Sequence, residues 1–217
     1  MNQSKVLSVS LSSERGPKKA VSELQLNEKG IIGDVHAGQW NRQISIIDNW
    51  HITRFRELTG ARETNFGEFA ENITAEGLHE INFKTFDQLK IGDAILEVTQ
   101  VGKPFHDQFK ELGNYVMPRV GIFCRVKKAG VIKPNDTIEY IPKKHKAVVI
   151  TLSDRASSGE YEDRSGPKII EILDFYLKKL ELNYHIDHQI IPDDAEQLTQ
   201  LLNKYRNEKY DFIFTTG

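Results

Sequence analysis

The hydrophobic positions in the first part of the chain fall in short runs that are separated by turn-forming residues. Strand-like runs lie at residues 5–12, 44–47, 95–99, 121–126 and 137–141, and Gly, Pro, Asn or Asp flanks each of them. Short apolar runs with such boundaries are typical of β-strands. One stretch, residues 48–58, has apolar residues at helical spacing. The pattern predicts a mainly β N-terminal domain with one inserted helix.

After residue 146 the apolar pattern changes to an alternation of strands and helices. It predicts a strand at 147–152, a helix at 167–180, a strand at 184–191, a helix at 195–205 and a strand at 211–215. Such alternation is typical of a parallel sheet. Ser165 is the predicted N-cap of the first helix, and Pro167 lies in its first turn, where a missing N–H costs nothing. The C-terminal part is therefore predicted to be an α/β domain.

A basic, polar stretch at residues 143–146 separates the two patterns and is the predicted linker. The domains are then 1–142 and 147–217. The chain ends in Thr215-Thr216-Gly217, the start of a turn whose backbone N–H groups bind phosphate in many α/β domains. Three strands leave a parallel sheet unfinished, so we expect an incomplete, truncated three-layer domain with exposed Phe212, Ile213 and Phe214.

Composition restricts the classes of partner. The 217 residues carry 29 Lys and Arg against 31 Asp and Glu, a formal net charge of -2, so we expect no general attraction to nucleic acid or to an anionic membrane. No apolar run approaches the roughly 20 residues of a membrane span, and the N-terminus lacks a signal-peptide pattern. We expect a cytoplasmic protein. The single cysteine, Cys124, excludes an internal disulfide and a thiolate-rich zinc site.

The segment 33–43 concentrates side chains that recognise anions and heterocycles. It combines two glycines with Asp34, His36, Trp40 and Arg42. A guanidinium presents a planar fork to phosphate, an imidazole titrates near neutral pH, and an indole offers a stacking face. The alternative is an ordinary loop in which Trp40 fills the core and His36 is solvated.

Three further turn segments carry polar side chains at the ends of predicted strands. Glu71 and Asn72 precede one strand, Lys103 follows another, and Arg119 precedes a third. Each segment alone is compatible with an ordinary turn. Together they predict the rim of a ligand site, at which Arg42, Lys103 and Arg119 face phosphate groups.

These segments occur in a characteristic order along the chain: 33–38, 42–45, 67–73, 92–94, 99–103 and 117–123. In this order they resemble the MOSC family, named for the C-terminal domain of molybdenum cofactor sulfurases, over residues 4–141. The resemblance implies a barrel-like β fold that binds the molybdenum cofactor, or delivers or carries sulfur for it. The cofactor contacts that it implies are Asp34, His36, Arg42, Glu71, Asn72, Lys103 and Arg119.

The sequence departs from the MOSC pattern at one position with chemical consequences. The family usually has a cysteine just after the segment that matches 99–103, and here Pro104, Phe105 and His106 follow. A thiol can hold a persulfide or bind molybdenum through sulfur, so its loss weakens both roles. Cys124 and His106 remain as candidate metal ligands, and buried packing is the alternative for Cys124.

In the C-terminal domain, hydroxyl, acidic and basic residues gather at 151–155, 162–167, 191–194 and 215–217. From the residues alone, a phosphate site with Arg155 and a capped βα turn explain them equally well. In combination they resemble the first half of the MogA/MoaB family of molybdopterin adenylyltransferases. The resemblance implies ATP and Mg²⁺ as cofactors of a complete domain, and no adenylyl transfer is expected from this half. The residues that it places on the pterin side are Ser153, Asp154, Asp163, Thr215, Thr216 and Gly217.

The two resemblances predict a fusion protein for molybdenum cofactor biosynthesis, in which one domain handles the cofactor and the other acts on its precursor. The alternatives are a non-catalytic cofactor carrier and a molybdenum-dependent reductase of N-hydroxylated compounds. Expected partners are a molybdoenzyme, or a cysteine desulfurase with its bound pyridoxal phosphate. An oligomer formed through the C-terminal domain is a further expectation, and no residue is assigned as catalytic.

Overall fold

A computed structural model describes residues 4–60, 65–102 and 119–217 of the chain. The chain divides into two compact units, Met1–Pro142 and Lys143–Gly217. Buried hydrophobic residues form a large and a small cluster in the first unit and a separate cluster in the second. No helix within the described ranges has the length and apolar character that a membrane-spanning helix needs.

The first unit consists mainly of short strands, as the apolar pattern predicts. In chain order they are β1 (Lys5–Leu11), β2 (Lys19–Val21), β3 (Leu24–Asn27), β4 (Gly30–Ile31), β5 (Ile44–Asp48), β6 (Ile73–Glu76), β7 (Gln88–Ile91), β8 (Ala94–Val101), β9 (Ile122–Lys128), β10 (Gly130–Ile132) and β11 (Ile138–Ile141). Helix α1 (Asn49–Thr59) follows β5.

The strands of the first unit form two sheets. The larger sheet has eight strands in the order β11-β7-β8-β9-β5-β6-β1-β2, and the smaller has the order β10-β3-β4. The pairing is antiparallel except between β5 and β6. Buried aliphatic side chains of both sheets, such as Leu24 and Ile31 from the smaller and Ile46 and Leu96 from the larger, form one core. Each such side chain contributes about 1.5–3 kcal/mol when it is fully buried.

The closed β-barrel that the resemblance implies is not formed. The larger sheet is open, since β11 and β2 stand at opposite ends of its strand order. A bridge between Lys5 and Thr137 brings the start of β1 towards the residues before β11. Backbone hydrogen bonds from Val6 N to Asp136 O and from Asn135 N to Val6 O accompany this bridge, while β2 pairs with the other end of β1, from Val9 to Leu11.

Helix α1 is fixed at both its start and its inner face. The Asp48 carboxylate accepts a hydrogen bond from the backbone N–H of Trp50 at 2.7 Å, which caps the first turn. Ile52 is buried, and the Phe55 ring meets Phe69 edge to face at 5.4 Å. The helix thereby covers the smaller cluster of the first unit.

The second unit has the predicted alternation of strands and helices. Its elements are β12 (Lys144–Leu152), α2 (Asp154–Ser157), α3 (Ser165–Lys179), β13 (Asn183–Ile191), α4 (Ala195–Asn207) and β14 (Phe212–Thr216). The three strands are parallel in the order β13-β12-β14. Strand β12 begins earlier than predicted, because residues 144–146 of the expected linker already pair with β13.

The central strand β12 is covered on both faces. Val148 and Ile150 pack with Tyr205 of α4 in one cluster, and the alternate residues Ala147 and Val149 are also buried. Helix α3 contacts β12 and β13. At the edge of the sheet Phe212 is exposed as predicted, whereas residues 213 and 214 are half-buried, because the edge strand still packs against its neighbours.

Candidate functional site

A buried ion pair between Lys18 and Asp34 forms the centre of the candidate site in the first unit. Both side chains are fully buried, and Lys18 Nζ donates a hydrogen bond to Asp34 Oδ2 at 2.5 Å. Lys18 lies directly before β2 and Asp34 follows β4, so the fold brings the two together from separate turns. In a buried pair each charge depends on the other, and a buried charge without a partner would be strongly destabilising.

The loop after β4 surrounds this ion pair with aromatic and basic groups. The backbone N–H of His36 donates to Asp34 Oδ1 at 2.9 Å, and His36 Nδ1 lies 3.3 Å from Lys18 Nζ. The Trp40 indole N–H donates to the carbonyl of His36, and the two rings stack 6.0 Å apart. The Arg42 guanidinium lies 5.3 Å from the centre of the Trp40 ring. An amine, an imidazole, an indole and a guanidinium therefore follow one another across the site.

Asn72 positions the carboxylate of this pair. Its amide nitrogen donates to Asp34 Oδ2 at 2.9 Å and to the carbonyl of Ser10 at 3.2 Å. Its amide oxygen accepts bonds from both the backbone N–H and the hydroxyl of Ser45, each at 3.1 Å. Asn72, predicted as a cofactor contact, is buried and bonded to protein groups on both sides, so it supports Asp34 from within.

Glu71, another predicted cofactor contact, serves the backbone beside the site. It is fully buried, and its carboxylate accepts bonds from Gly67 N at 2.6 Å, Phe69 N at 3.1 Å and Thr74 Oγ1 at 3.0 Å. Burial raises the pKa of Glu71, and this effect exceeds the opposite effect of the hydrogen bonds. The carboxyl group holds the turn 67–71 in shape.

The environment changes the ionisation of both partners in the ion pair. Burial lowers the pKa of Lys18, and the attraction of Asp34 only partly offsets this effect. Burial alone would raise the pKa of Asp34, but hydrogen bonds from His36 and Lys18 bring it far below its ordinary value. The carboxylate thus stays ionised, and the Lys18 amine releases its proton more readily than an exposed lysine does. The Lys18 amine lies 3.3 Å from His36 Nδ1, next to the stacked rings of His36 and Trp40.

The remaining predicted residues of the first unit have different positions. Lys103 and His106 lie outside the described residues. Arg119 is exposed and lies three residues before the first residue of β9. Cys124 is fully buried in the main hydrophobic core, paired with Ile44 of β5. Within the described ranges no group of three or more His, Cys, Asp or Glu side chains is arranged to hold a metal ion.

Cys124 is expected to resist thiol reagents in the native protein. Burial raises the pKa of its thiol, and nearby Glu97 raises it further, so the reactive thiolate is suppressed. Mass spectrometry after treatment with iodoacetamide should show labelling in urea and none in native buffer. Because the chain has one cysteine, each adduct reports this position. Complete labelling of the native protein within minutes would contradict the burial of Cys124.

A second polar network lies at the start of helix α3 in the second unit. The Asp163 carboxylate accepts hydrogen bonds from Thr151 Oγ1 at 2.7 Å, Ser165 Oγ at 3.2 Å and Gly166 N at 3.0 Å. His188 Nε2 lies 3.0 Å from the same carboxylate. The prediction of Ser165 as N-cap was wrong: Ser165 is the first helical residue, and Asp163 bonds the helical N–H instead.

Thr151→Val is expected to destabilise the second unit by about 1–2 kcal/mol, because Asp163 loses a buried hydrogen bond without a change of side-chain shape. The free energy of unfolding from urea titrations would measure the loss. Thr215→Val, at an exposed position on β14, is the matched control and should have little effect. Equal losses for the two variants would show that the Thr151–Asp163 contact contributes nothing.

Between α2 and α3 an exposed tyrosine is flanked by two arginines. The Arg155 guanidinium lies 5.4 Å from the centre of the Tyr161 ring, and that of Arg164 lies 5.7 Å from it. Tyr161 is 48% exposed. Arg164 directly precedes α3, whose N-terminal end attracts anions. Two guanidinium groups on one aromatic ring form a surface suited to a phosphate group attached to a planar ring.

Four other predicted residues of the second unit lie near the carboxyl ends of the parallel strands. Ser153 caps α2 by accepting from Ala156 N at 3.2 Å, and Asp154 Oδ1 accepts from Asp193 N at 3.0 Å. Thr215 and Thr216 end β14 in register with Ile150 and Thr151 of β12. Thr216 therefore lies beside Thr151, whose hydroxyl donates to Asp163. Gly217 follows Thr216. Ser153 and Asp154 hold the loop backbone in place.

Comparison with known families assigns both units. The MOSC domain model matches residues 33–139, and the model described as a probable molybdopterin binding domain matches residues 148–217. The chain joins a MOSC domain to a domain of the molybdopterin-binding family. Both resemblances found in the sequence are thereby confirmed. The Lys18 turn lies before the first matched segment, and Asp34, His36 and Arg42 lie within it.

The curated relatives are similar over part of their length. A molybdopterin adenylyltransferase from Pyrococcus furiosus is 40% identical over 76 residues, which are 35% of this chain and 41% of that protein. Gephyrin from Dictyostelium discoideum is 35% identical over 74 residues, 32% of this chain and 10% of gephyrin. The chain thus matches about two fifths of the adenylyltransferase and a tenth of gephyrin.

Two solved structures share a fold with about two thirds of this chain. The YUAD protein from Bacillus subtilis superimposes with a TM-score of 0.55 at 16% identity, covering 64% of this chain and 97% of that one. YiiM from Geobacillus stearothermophilus gives 0.51 at 21% identity, covering 64% and 75%. At these identities the similarity shows the fold alone.

Lys18, Tyr161 and Arg164 were not predicted as site residues from the sequence. Lys18 follows a Gly-Pro turn and precedes a strand, but nothing in the sequence distinguishes it from its exposed neighbour Lys19. Tyr161 and Arg164 flank the acidic residues Glu162 and Asp163, of which Asp163 was the predicted site residue. An aromatic residue spaced between two arginines was the available signal for this second cluster.

Proposed function

We propose that this protein binds the molybdenum cofactor and its molybdopterin precursor, with the cofactor in the MOSC domain and the precursor in the second domain. The observation that carries the proposal is that each domain places guanidinium groups on an exposed aromatic ring. Arg42 does so on Trp40, and Arg155 and Arg164 do so on Tyr161. Molybdopterin combines a planar pterin with a phosphate, which suits both arrangements.

In the MOSC domain the described residues fit the pterin and phosphate end of the cofactor. Arg42 would bind the phosphate, and the 39% exposed Trp40 would stack on the ring system. His36 would meet the pterin edge, with the buried Lys18 amine 3.3 Å behind its Nδ1. Molybdenum, when bound, supplies redox and oxygen-transfer chemistry to this site. Lys103 and Arg119 remain predicted contributors to phosphate binding.

The described residues do not supply a sulfur ligand to that metal. The single thiol, Cys124, lies inside the hydrophobic core, so neither a persulfide on it nor a molybdenum–sulfur bond through it fits. This observation favours a cofactor carrier over a sulfur-transfer enzyme. His106, outside the described residues, stays a predicted ligand, and a cysteine desulfurase with pyridoxal phosphate stays a predicted partner.

In the second domain the proposed ligand is the molybdopterin phosphate near the start of α3. Arg155, Tyr161 and Arg164 would bind the ligand directly, and Thr216 and Gly217 would approach it from the end of β14. Asp163 keeps this helix start in position through its bonds to Thr151 and Gly166. Adenylyl transfer is the activity for which the similar Pyrococcus furiosus protein is named. ATP and Mg²⁺ stay the cofactors that the family resemblance implies for a complete domain, and no adenylyl transfer is expected from this half.

Arg42→Ala is expected to weaken cofactor binding by about 1.5–3 kcal/mol, the usual range for a charge-assisted hydrogen bond to phosphate. Calorimetric titration of the full chain with purified molybdenum cofactor would measure the change. Arg54→Ala is the matched control, because Arg54 is exposed on α1 and pairs with Glu57 at 3.0 Å. No binding by the unmodified protein would refute the proposed function. Unchanged affinity of the Arg42 variant would remove Arg42 from the site.

A further inference from the structure

A row of cations continues from Arg42 along strand β9. The Arg42 guanidinium lies 6.0 Å from the centre of the Phe123 ring, in addition to its position over Trp40. Phe123 packs in the smaller cluster that α1 covers, whereas the next residue, Cys124, packs in the main core. Because side chains alternate between the two faces of a strand, Arg125 lies on the same face as Phe123. Arg42 and Arg125 therefore share one face of the larger sheet.

Arg125 shares a buried carboxylate with a second cation, Lys127. Glu97 of β8 lies opposite Arg125 in the sheet. Its Oε1 accepts a hydrogen bond from Arg125 Nε at 2.7 Å, and its Oε2 lies 3.3 Å from Lys127 Nζ. The side chains of Arg125 and Lys127 are 40% and 43% exposed, whereas that of Glu97 is 7% exposed. Both cations thus reach solvent beside a carboxylate that can compensate the charge of only one of them.

The row formed by Arg42, Arg125 and Lys127 has an excess of positive charge. Among the described residues no acidic side chain lies within ion-pair distance of Arg42, so the three cations face the single carboxylate of Glu97. Positions on the same face of a strand lie about 6.8 Å apart, a distance over which long cationic side chains can bind adjacent phosphate groups. A single phosphate on Arg42 would leave Arg125 and Lys127 without a ligand group.

We propose that the MOSC domain binds a form of the cofactor whose phosphate is extended to a diphosphate by a nucleotide, with one phosphate on Arg42 and the other on Arg125 and Lys127. This inference rests on the proposed function and adds the chemical class of the ligand. Adenylyl transfer, for which the similar Pyrococcus furiosus protein is named, produces such a diphosphate. In that reaction an oxygen of a phosphate monoester displaces diphosphate from a nucleoside triphosphate. A reaction of this class must therefore supply the ligand.

Calorimetric titration of the full chain with inorganic phosphate and with inorganic diphosphate tests the assignment. The chain carries Arg155→Ala and Arg164→Ala, so that the arginines beside Tyr161 do not contribute. We expect diphosphate to bind at least about tenfold more tightly than phosphate, and Arg125→Gln to remove most of this preference. Lys90→Gln is the matched control, because Lys90 is an exposed cation on β7 that pairs with an acidic residue at 3.2 Å. No binding of diphosphate, no preference for it, or equal effects of the Arg125 and Lys90 variants would overturn the proposal.

Glu97→Gln tests the row in the opposite direction. It releases Arg125 and Lys127 from their shared carboxylate, so the affinity for diphosphate should rise about 2–5-fold, the range for exposed ion pairs, whereas Lys127→Gln should lower it by a similar factor. A purely structural ion pair would give no such rise. If the unmodified chain binds the molybdenum cofactor but none of the Glu97, Arg125 and Lys127 variants changes the affinity for diphosphate, the inference fails and the proposed function stands. A chain that does not bind the cofactor would refute both.

Discussion

Gly67→Ala is expected to destabilise the first unit by about 2–6 kcal/mol, the sum of backbone strain and overpacking. Gly67 has a φ of +92°, a conformation that side chains with a Cβ rarely adopt. A Cβ at this position would also lie 2.3 Å from the backbone oxygen of Lys18. Since Lys18 N donates to Gly67 O at 2.8 Å, the same displacement would move Lys18 out of the candidate site.

Gly33→Ala separates the two components of this effect. Gly33 has a similar φ of +86°, but nothing lies within 4 Å of an added Cβ. Urea unfolding of both variants should therefore show a small loss for Gly33→Ala, from backbone strain alone, and a much larger loss for Gly67→Ala. Equal losses in the free energy of unfolding would mean that the contact with Lys18 is unimportant.

Asp34→Ala is expected to cost about 3–5 kcal/mol of stability at neutral pH, because it leaves the buried Lys18 ammonium without a counter-charge. The double variant Lys18→Met, Asp34→Ala should recover most of this loss, since no charge then remains buried. Thermal and urea unfolding of the two single variants and the double variant would form a complete cycle. Additive losses would show that Lys18 and Asp34 do not interact.

The pH dependence of these variants follows from the pKa shifts of the pair. The pKa of Asp34 is lowered in the folded protein, so its contribution to stability is present above the ordinary carboxyl pKa of about 3.9 and is lost as pH falls further. The pKa of Lys18 is lowered as well, so folding favours its neutral form. The destabilisation by Asp34→Ala should thus shrink as pH rises towards the ordinary lysine pKa of about 10.4.

Much of the secondary structure could be predicted from the sequence, because apolar runs and their boundaries are local properties. The strands around Ile46, Val98 and Val149 and the helices α3 and α4 of the second unit are such cases. Strands as short as β4, Gly30–Ile31, contain too few residues for any periodic signal. The open larger sheet also could not be foreseen, since it depends on pairings between strands that are far apart in the sequence.

The candidate site shows the same division between local and distant causes. Asp34, His36 and Arg42 could be found because one loop carries them all. Lys18 could not, because its role arises from burial beneath a turn at Gly67, far away in the sequence. Glu71 was predicted as a cofactor contact, but it is fully buried and accepts hydrogen bonds from the backbone N–H groups of Gly67 and Phe69.

The stacking of Arg42 on Trp40 has a practical consequence for optical experiments. The chain has two tryptophans, and Trp50 lies in α1, where its ring stacks on His79. In a Trp50→Phe background the fluorescence of the protein would come from Trp40 alone. The Trp40 indole donates a hydrogen bond to the carbonyl of His36, and the Arg42 guanidinium lies over its ring. A ligand that displaces this guanidinium should therefore change the emission of Trp40.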